Sequence, residues 1–130
     1  MSHRSFDIIT ASAHSREGTD SPPPLPSQAI LAEVTSWPGV SAGRGERGEL
    51  WFRLGRREIG HLHGDSAAHF GFPRHVWIDL RKQGRIERHP FFPDSVGPAA
   101  RRIHSDGDVR EVIALLWLNY ERLAALRRPA

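Results

Sequence analysis

The segment from Glu49 to His63 constrains the fold of this chain more than any other part of it. Apolar and polar residues alternate on both sides of Gly55-Arg56, a dipeptide typical of a two-residue hairpin turn with glycine first. Such a turn fixes which residues face each other, because the register of a hairpin follows from its loop length. The predicted register places Arg53 opposite Glu58, where the two charges attract.

The faces of the hairpin follow from this register. If pairing continues without interruption, Phe52 lies opposite Ile59, and Leu50 lies opposite His61. Side chains alternate between the two faces of a strand, so His61 and His63 are predicted to share the apolar face. That face is predicted to carry Leu50, Phe52, Leu54 and Ile59, and the opposite face is predicted to carry Trp51 and Leu62.

The remaining elements are predicted from hydrophobic periodicity and turn residues. One helix is expected after Ser27, a second from Phe72-Pro73, and a third after the capping box that begins at Ser105. Further strands are expected near 85–89 and 99–104. The order α-β-β-α-β-β-α predicts an α+β fold of two layers, with helices on one face of a four-stranded, mostly antiparallel sheet. Residues 27–127 are predicted to form this single domain, and the Ser- and Pro-rich residues 1–26 a disordered tail.

Composition excludes several classes of protein. The chain of 130 residues contains no cysteine, which excludes disulfides, thiolate zinc sites and a cysteine nucleophile. The longest apolar stretch, near 112–118, is shorter than the roughly 20 residues that span a bilayer, and no secretory signal is recognisable. We therefore expect a cytoplasmic protein that does not associate with membranes.

The hairpin also carries a resemblance to a known family. The motifs that carry it are Leu54-Gly55-Arg56-Arg57-Glu58-Ile59-Gly60-His61-Leu62-His63-Gly64, Phe72-Pro73-Arg74, Gly84-Arg85, His89, Pro93-Asp94-Ser95 and Leu118-Asn119-Tyr120. Through these motifs, and over about residues 28–124, the chain resembles the uncharacterised luciferase domain-containing proteins. Family members commonly continue after Pro-Asp-Ser with glycine and tryptophan, whereas Val96-Gly97-Pro98 follows here. The resemblance implies little chemistry, and no flavin, nucleotide or haem pattern accompanies it, so luminescence is not expected.

Two hypotheses about function depend on His61 and His63. The first is a module that binds a small molecule or a protein partner, without catalysis, in a pocket between the sheet and the helices. The residues assigned to that pocket are His61, His63, Arg74, His89, Asp94 and Ser95. The second is an enzyme or metal-dependent accessory protein with His61, His63 and His89 as metal ligands, because histidines two apart on a strand project from the same side. The alternative to both hypotheses is that the histidines are structural and form hydrogen bonds to backbone groups or acids at the edge of the core.

No catalytic residue or cofactor is identified by these patterns. Ser95 is near His89 and Asp94 in sequence, but it lacks the Gly-x-Ser-x-Gly turn that exposes a serine nucleophile. An arginine-rich surface is the basis of a third hypothesis, weak nucleic-acid binding. Its residues would be Arg44, Arg47, Arg56, Arg57 and Trp51. Interspersed acids and a net charge of only +3 favour a solvated arginine-rich surface over nucleic-acid binding.

Leu115 and Leu118 fall outside the predicted apolar stripe of the last helix. Exposed apolar surface of sufficient size usually marks a contact. A homodimer through these two residues is therefore a further expectation.

Overall fold

The computed structural model describes residues 22–127, and every structural statement below concerns that part of the chain. The predicted tail falls outside the described residues up to position 21, and Pro26 already belongs to the first helix. The elements in chain order are α1 (Pro26–Val34), β1 (Val40–Arg44), β2 (Leu50–Leu54), β3 (Arg57–His63), β4 (Ala67–Gly71), α2 (Arg74–Lys82), β5 (Glu87–Arg88), β6 (Pro98–Arg102) and α3 (Asp106–Arg127).

The fold is α+β, as predicted, but the sheet has six strands in place of the four expected. Its spatial order is β1-β2-β3-β4-β6-β5, and every neighbouring pair is antiparallel. The element order is therefore α-β-β-β-β-α-β-β-α, which corrects the predicted order. The two missed strands, β1 and β4, consist largely of alanine, glycine, serine and other residues with little strand preference, so composition gives no signal for them.

The predicted hairpin register holds only next to the turn. Arg53 faces Glu58 as expected, but Phe52 faces Gly60, so Ile59 is an extra residue in β3. This is a β-bulge, in which two residues of one strand oppose one residue of its partner. From the bulge onward every side chain of β3 changes face. Leu62 is consequently buried in the core, and the prediction that His61 and His63 share the face of Leu50 and Phe52 is wrong.

Helix α3 holds the bulge in place. The amide nitrogen of the buried Asn119 donates hydrogen bonds to the carbonyl oxygens of Ile59 at 2.9 Å and Gly71 at 3.1 Å. Gly60 packs beneath the same helix, where an added Cβ would lie 2.7 Å from Leu116 Cδ2 and 3.0 Å from the His69 carbonyl oxygen. The bulge therefore depends on a hydrogen bond from a distant helix and on the absence of a side chain at position 60.

The core lies between the sheet and the helices. Helix α3 packs against α1 and against strands β2, β3 and β6. The side chain of Ser105 caps α3, as predicted, by accepting a hydrogen bond from the Asp108 amide at 3.1 Å. The first helix, by contrast, begins before Ser27, whose amide donates to Asp65 instead of capping.

The two residues through which a dimer is expected are less exposed than predicted, and the dimer itself stays a prediction. Leu115 is fully buried, and Leu118 is half-buried against the core. The assignment of both residues to the outside of the helix is wrong, because the buried stripe of α3 is wider than its sequence pattern indicates. Trp117 is the residue of this part of the helix that is exposed. Within residues 22–127, no helix combines the length and hydrophobicity needed to cross a bilayer.

Candidate metal centre and pocket

A row of directly opposed residues crosses the sheet on the face that points away from α3. The row consists of Gly43, Trp51, His61, His69, Ala100 and Glu87, one from each strand. Small residues make the row possible. The ring of Trp51 lies over Gly43, where an added Cβ would overlap it, and His69 faces the small residue Ala100.

Four histidines meet on this face, and we call them the histidine cluster: His61, His63, His69 and His89. The strand pairing of β3 with β4 sets His61 opposite His69, and His63 is two residues further along β3. His89 follows β5, and its ring centroid is 4.2 Å from that of His69. The ring centroids of His63 and His69 are 4.3 Å apart. Of the six histidines in residues 22–127, four therefore lie together.

Three members of the cluster direct ring nitrogens towards one point, and we call His61, His63 and His69 the three-histidine site. One nitrogen from each residue lies within 4.8 Å of the others. The Nε2 atoms of His61 and His63 are only 3.1 Å apart. Two nitrogen ligands on a tetrahedral zinc ion at 2.0–2.1 Å are separated by about 3.3 Å. The His61–His63 pair thus already has the spacing of two metal ligands, and the third nitrogen needs a shift of roughly 1.5 Å at most.

A carboxylate orients His61. The Nδ1 atom of His61 lies 2.7 Å from Glu58 Oε2, so in the neutral ring the Nδ1 proton is donated to that carboxylate. Nε2 is then an acceptor and receives its hydrogen bond from His63 Nε2. Histidines that ligate metals usually donate their other ring N–H to an acceptor in this way. Glu58 therefore prepares His61 for ligation through Nε2.

The surroundings of three rings in the cluster, those of His63, His69 and His89, favour the uncharged form. Burial, followed by the charges that His63, His89 and His61 carry when protonated, lowers the pKa of His69 to about 4. Burial also lowers the pKa of His63, assisted by His61 and opposed by Glu49. The pKa of His89 is lowered by burial and then by His61 and His63. Neutral imidazole is the form that binds metal ions, and these three rings are in that form at neutral pH.

A cavity of about 700 Å³ opens beside the three-histidine site. It is lined by Arg47, Glu49, Phe91 and Phe92 together with the four histidines of the cluster. The turn after β5 shapes its wall, because the Phe92 amide donates to the His89 carbonyl oxygen at 3.1 Å and the Phe91 amide donates to His89 Nδ1 at 3.1 Å. A second cavity of about 490 Å³ shares His61, His69, His89 and Phe92 with the first.

The residues assigned to a pocket from the sequence are only partly brought together. His61, His63 and His89 meet, but on the outer face of the sheet and not between the sheet and the helices. Arg74, Asp94 and Ser95 are exposed and line neither cavity. His69 was missed because the short strand β4 was missed. The turn-forming residues after His63 are the signal that could have revealed it, since reflecting β3 across that turn sets His61 opposite His69.

The arginines of the nucleic-acid hypothesis do not form one surface with an accessible ring. Arg56 and Arg57 are exposed at the tip of the β2–β3 hairpin, while Arg47 lines the cavity. Arg44 donates to the Gly48 carbonyl oxygen at 3.1 Å. The guanidinium of Arg53 stacks 3.9 Å from the ring centroid of Trp51, which covers the ring that would stack on a base.

Comparison with known proteins identifies one relationship. Residues 56–119 match the family model described as Luciferase domain. No curated protein and no solved structure matches this chain. The matched segment runs from the tip of the β2–β3 hairpin to Asn119, and it includes the bulge and all four histidines of the cluster. Over residues 56–119, the chain is therefore similar to the luciferase domain family.

Proposed function

We propose that the protein is a metal-binding module, in which His61, His63 and His69 hold a divalent transition-metal ion at the wall of a ligand pocket. The observation that carries the proposal is the convergence of three ring nitrogens within 4.8 Å of one another. The proposal thus combines the hypothesis of a histidine-lined pocket with the hypothesis of a metal site. Both concern the face of the sheet opposite to α3.

The donor set favours particular metals. Imidazole nitrogens suit zinc, copper, iron and nickel, whereas magnesium and calcium prefer oxygen donors. Because burial lowers the pKa of His63 and of His69, these two rings need not lose a charge before ligation. His61 is already oriented by the Glu58 carboxylate at 2.7 Å, and His63 can bind a metal through Nε2 once its ring proton resides on Nδ1. Zinc, which commonly takes histidine nitrogens in tetrahedral sites, is the test ion, and cobalt is its spectroscopic substitute.

Three protein ligands leave a coordination position open. Structural zinc sites are usually closed by four protein ligands, whereas sites with three keep a fourth position for water or another small ligand. In this protein the cavity of about 700 Å³ lies beside the three rings, so the open position faces space that a ligand can occupy. This arrangement supports a metal that acts on, or helps to bind, a small molecule.

Isothermal titration calorimetry with zinc chloride tests the proposal on the whole chain. We expect one ion per chain with a dissociation constant in the micromolar range or below. Loss of a residue that bonds to a metal ligand typically lowers metal affinity by about 10–100-fold. His61→Gln and His63→Gln remove a ligand itself, so each should weaken zinc binding by at least that factor. The matched controls are His75→Gln and His104→Gln, because both histidines are exposed and lie outside the cluster.

Two results would contradict the proposal. One is the absence of a saturable zinc isotherm in a protein whose circular dichroism is that of a folded domain. The other is an equal loss of affinity in the control variants, which would place the bound zinc on exposed histidines. Because His69 is buried, His61 and His63 are the better positions for substitution, since changes there disturb packing less.

A further inference from the structure

We infer that the pocket beside the three-histidine site binds a monocarboxylate with an apolar ring or chain, its carboxylate taking the open metal position. This inference rests on the proposed metal site and specifies the ligand class. Its two components are the net positive charge that a divalent ion gives the pocket and a pair of exposed aromatic side chains in the cavity wall.

The charge attraction comes from the proposed divalent ion. Arg47 contributes one positive charge to the cavity wall, and its guanidinium has neither an ion pair nor a hydrogen bond to another residue of the described chain. Glu49 lies in the same wall, and Glu58 and Arg122 both line the adjoining second cavity. These two acidic and two basic side chains balance one another, so a divalent ion gives the pocket a net positive charge that attracts an anion.

The apolar component comes from Phe91 and Phe92. Their side chains are 67% and 54% exposed, although large aromatic residues are usually buried. Both rings line the cavity or its edge, and the turn that carries them is fixed by two hydrogen bonds to His89 and bounded by Pro90 and Pro93. A rigid turn that presents two aromatic rings beside a charged centre fits a ligand with an anionic end and an apolar body.

His89 supplies a donor for the anionic end. Its Nδ1 atom accepts the hydrogen bond from the Phe91 amide, so in the neutral ring the proton resides on Nε2. The ring lines both cavities and contacts His69. His89 Nε2–H is therefore positioned to donate to an oxygen of a carboxylate that binds beside the three-histidine site. The positive charge of Arg47, in the cavity wall, provides a second attraction for the carboxylate of the ligand.

The test uses the full chain loaded with one equivalent of cobalt(II), whose visible absorption changes when a ligand enters its coordination sphere. Sodium benzoate and sodium acetate are the two probes, because they share a carboxylate and differ in the apolar ring. We expect both to change the cobalt spectrum, with benzoate binding about tenfold more tightly or better, since it buries apolar surface against the phenylalanines. The metal-free protein should bind benzoate at least tenfold more weakly in calorimetry.

Variants separate the two components. Phe92→Ala should bring the affinity for benzoate close to that for acetate while leaving acetate unchanged, and Arg47→Gln should weaken both probes by a similar factor. Arg56→Gln and Leu126→Ala are the matched controls, because the first removes a charge and the second an exposed apolar side chain outside the cavity. Neither control should change either affinity by more than about twofold.

The possible failures are distinguishable. If cobalt does not bind to the three-histidine site, the proposed metal function fails, and this inference fails with it. If cobalt binds and His61→Gln removes its spectrum, but benzoate binds no more tightly than acetate, only the ligand class is refuted. Equal binding of benzoate to the metal-free protein would refute the role of the metal's charge, and an unchanged benzoate affinity in Phe92→Ala would refute the role of the aromatic wall.

Discussion

Replacing Asn119 by leucine tests the physical origin of the site, because this one side chain holds the β-bulge that turns the histidines outward. Asn119 is buried, and its amide nitrogen bonds to the carbonyl oxygens of Ile59 and Gly71. Leucine has a similar size and shape but cannot donate. The substitution therefore removes the two hydrogen bonds that Asn119 donates and the two that its Oδ1 accepts from the partly exposed Arg122, without leaving a large cavity.

The magnitude follows from the two acceptors. The Ile59 carbonyl is buried, and a buried acceptor left without a partner costs about 1–3 kcal/mol. The Gly71 carbonyl belongs to an exposed residue, so water can replace the lost donor and the cost is about 0.5–1.5 kcal/mol. We expect the free energy of unfolding to fall by about 2–4 kcal/mol, against the 5–15 kcal/mol typical of a domain.

Urea unfolding followed by tryptophan fluorescence measures this change. Glu121→Gln is the control, since Glu121 is exposed on the same helix and its substitution should cost less than about 0.5 kcal/mol. In the folded fraction of the Asn119→Leu protein, zinc affinity should also fall, because the bulge that aligns His61 with His69 is no longer held. A loss of stability below about 0.5 kcal/mol, with zinc binding unchanged, would refute the reasoning.

Three further predictions concern the same region. Gly60→Ala should cost about 1–3 kcal/mol through overpacking against Leu116, while Gly71→Ala, where an added Cβ meets nothing within 4 Å, should be nearly neutral in the same urea assay. Glu58→Ala should weaken zinc binding in calorimetry by about 10–100-fold through loss of the carboxylate on His61, and Glu46→Ala, in the exposed loop before β2, should not. Because the pKa of His69 is about 4 in the folded protein and 6.5 in the unfolded chain, the unfolded state binds the extra proton. The metal-free protein should therefore lose about 3 kcal/mol of stability as the pH falls from 6.5 to 4; urea unfolding at several pH values, with His69→Gln showing a flatter profile, checks this.

The sequence predicts local features of this fold better than features that depend on distant contacts. The two-residue turn at Gly55-Arg56 and the Arg53–Glu58 pair were predictable, because a tight turn determines the pairing beside it. The bulge at Ile59 was not, because the hydrogen bond that holds it comes from Asn119, sixty residues further along the chain. One displaced residue was enough to reverse the faces assigned to His61, His63 and Leu62.

The candidate site was predicted only in part, because it too depends on contacts between residues that are distant in the sequence. The spacing of His61 and His63 indicated that both rings project from one side of a strand, and this holds on either face. His69 enters the site only through the pairing of β3 with β4, and the composition of β4 does not predict a strand. The exposed positions of Arg74, Asp94 and Ser95 depend on how the loops around α2 and β5 fold, which sequence proximity does not determine.

Anomalous diffraction from crystals of the full chain grown with zinc tests the central claim most directly. The account predicts one strong anomalous peak within about 2.0–2.2 Å of a ring nitrogen from each of His61, His63 and His69, with Glu58 still bonded to Nδ1 of His61. A folded protein with no peak at these rings, or with zinc bound only at exposed histidines such as His75 or His104, would contradict it.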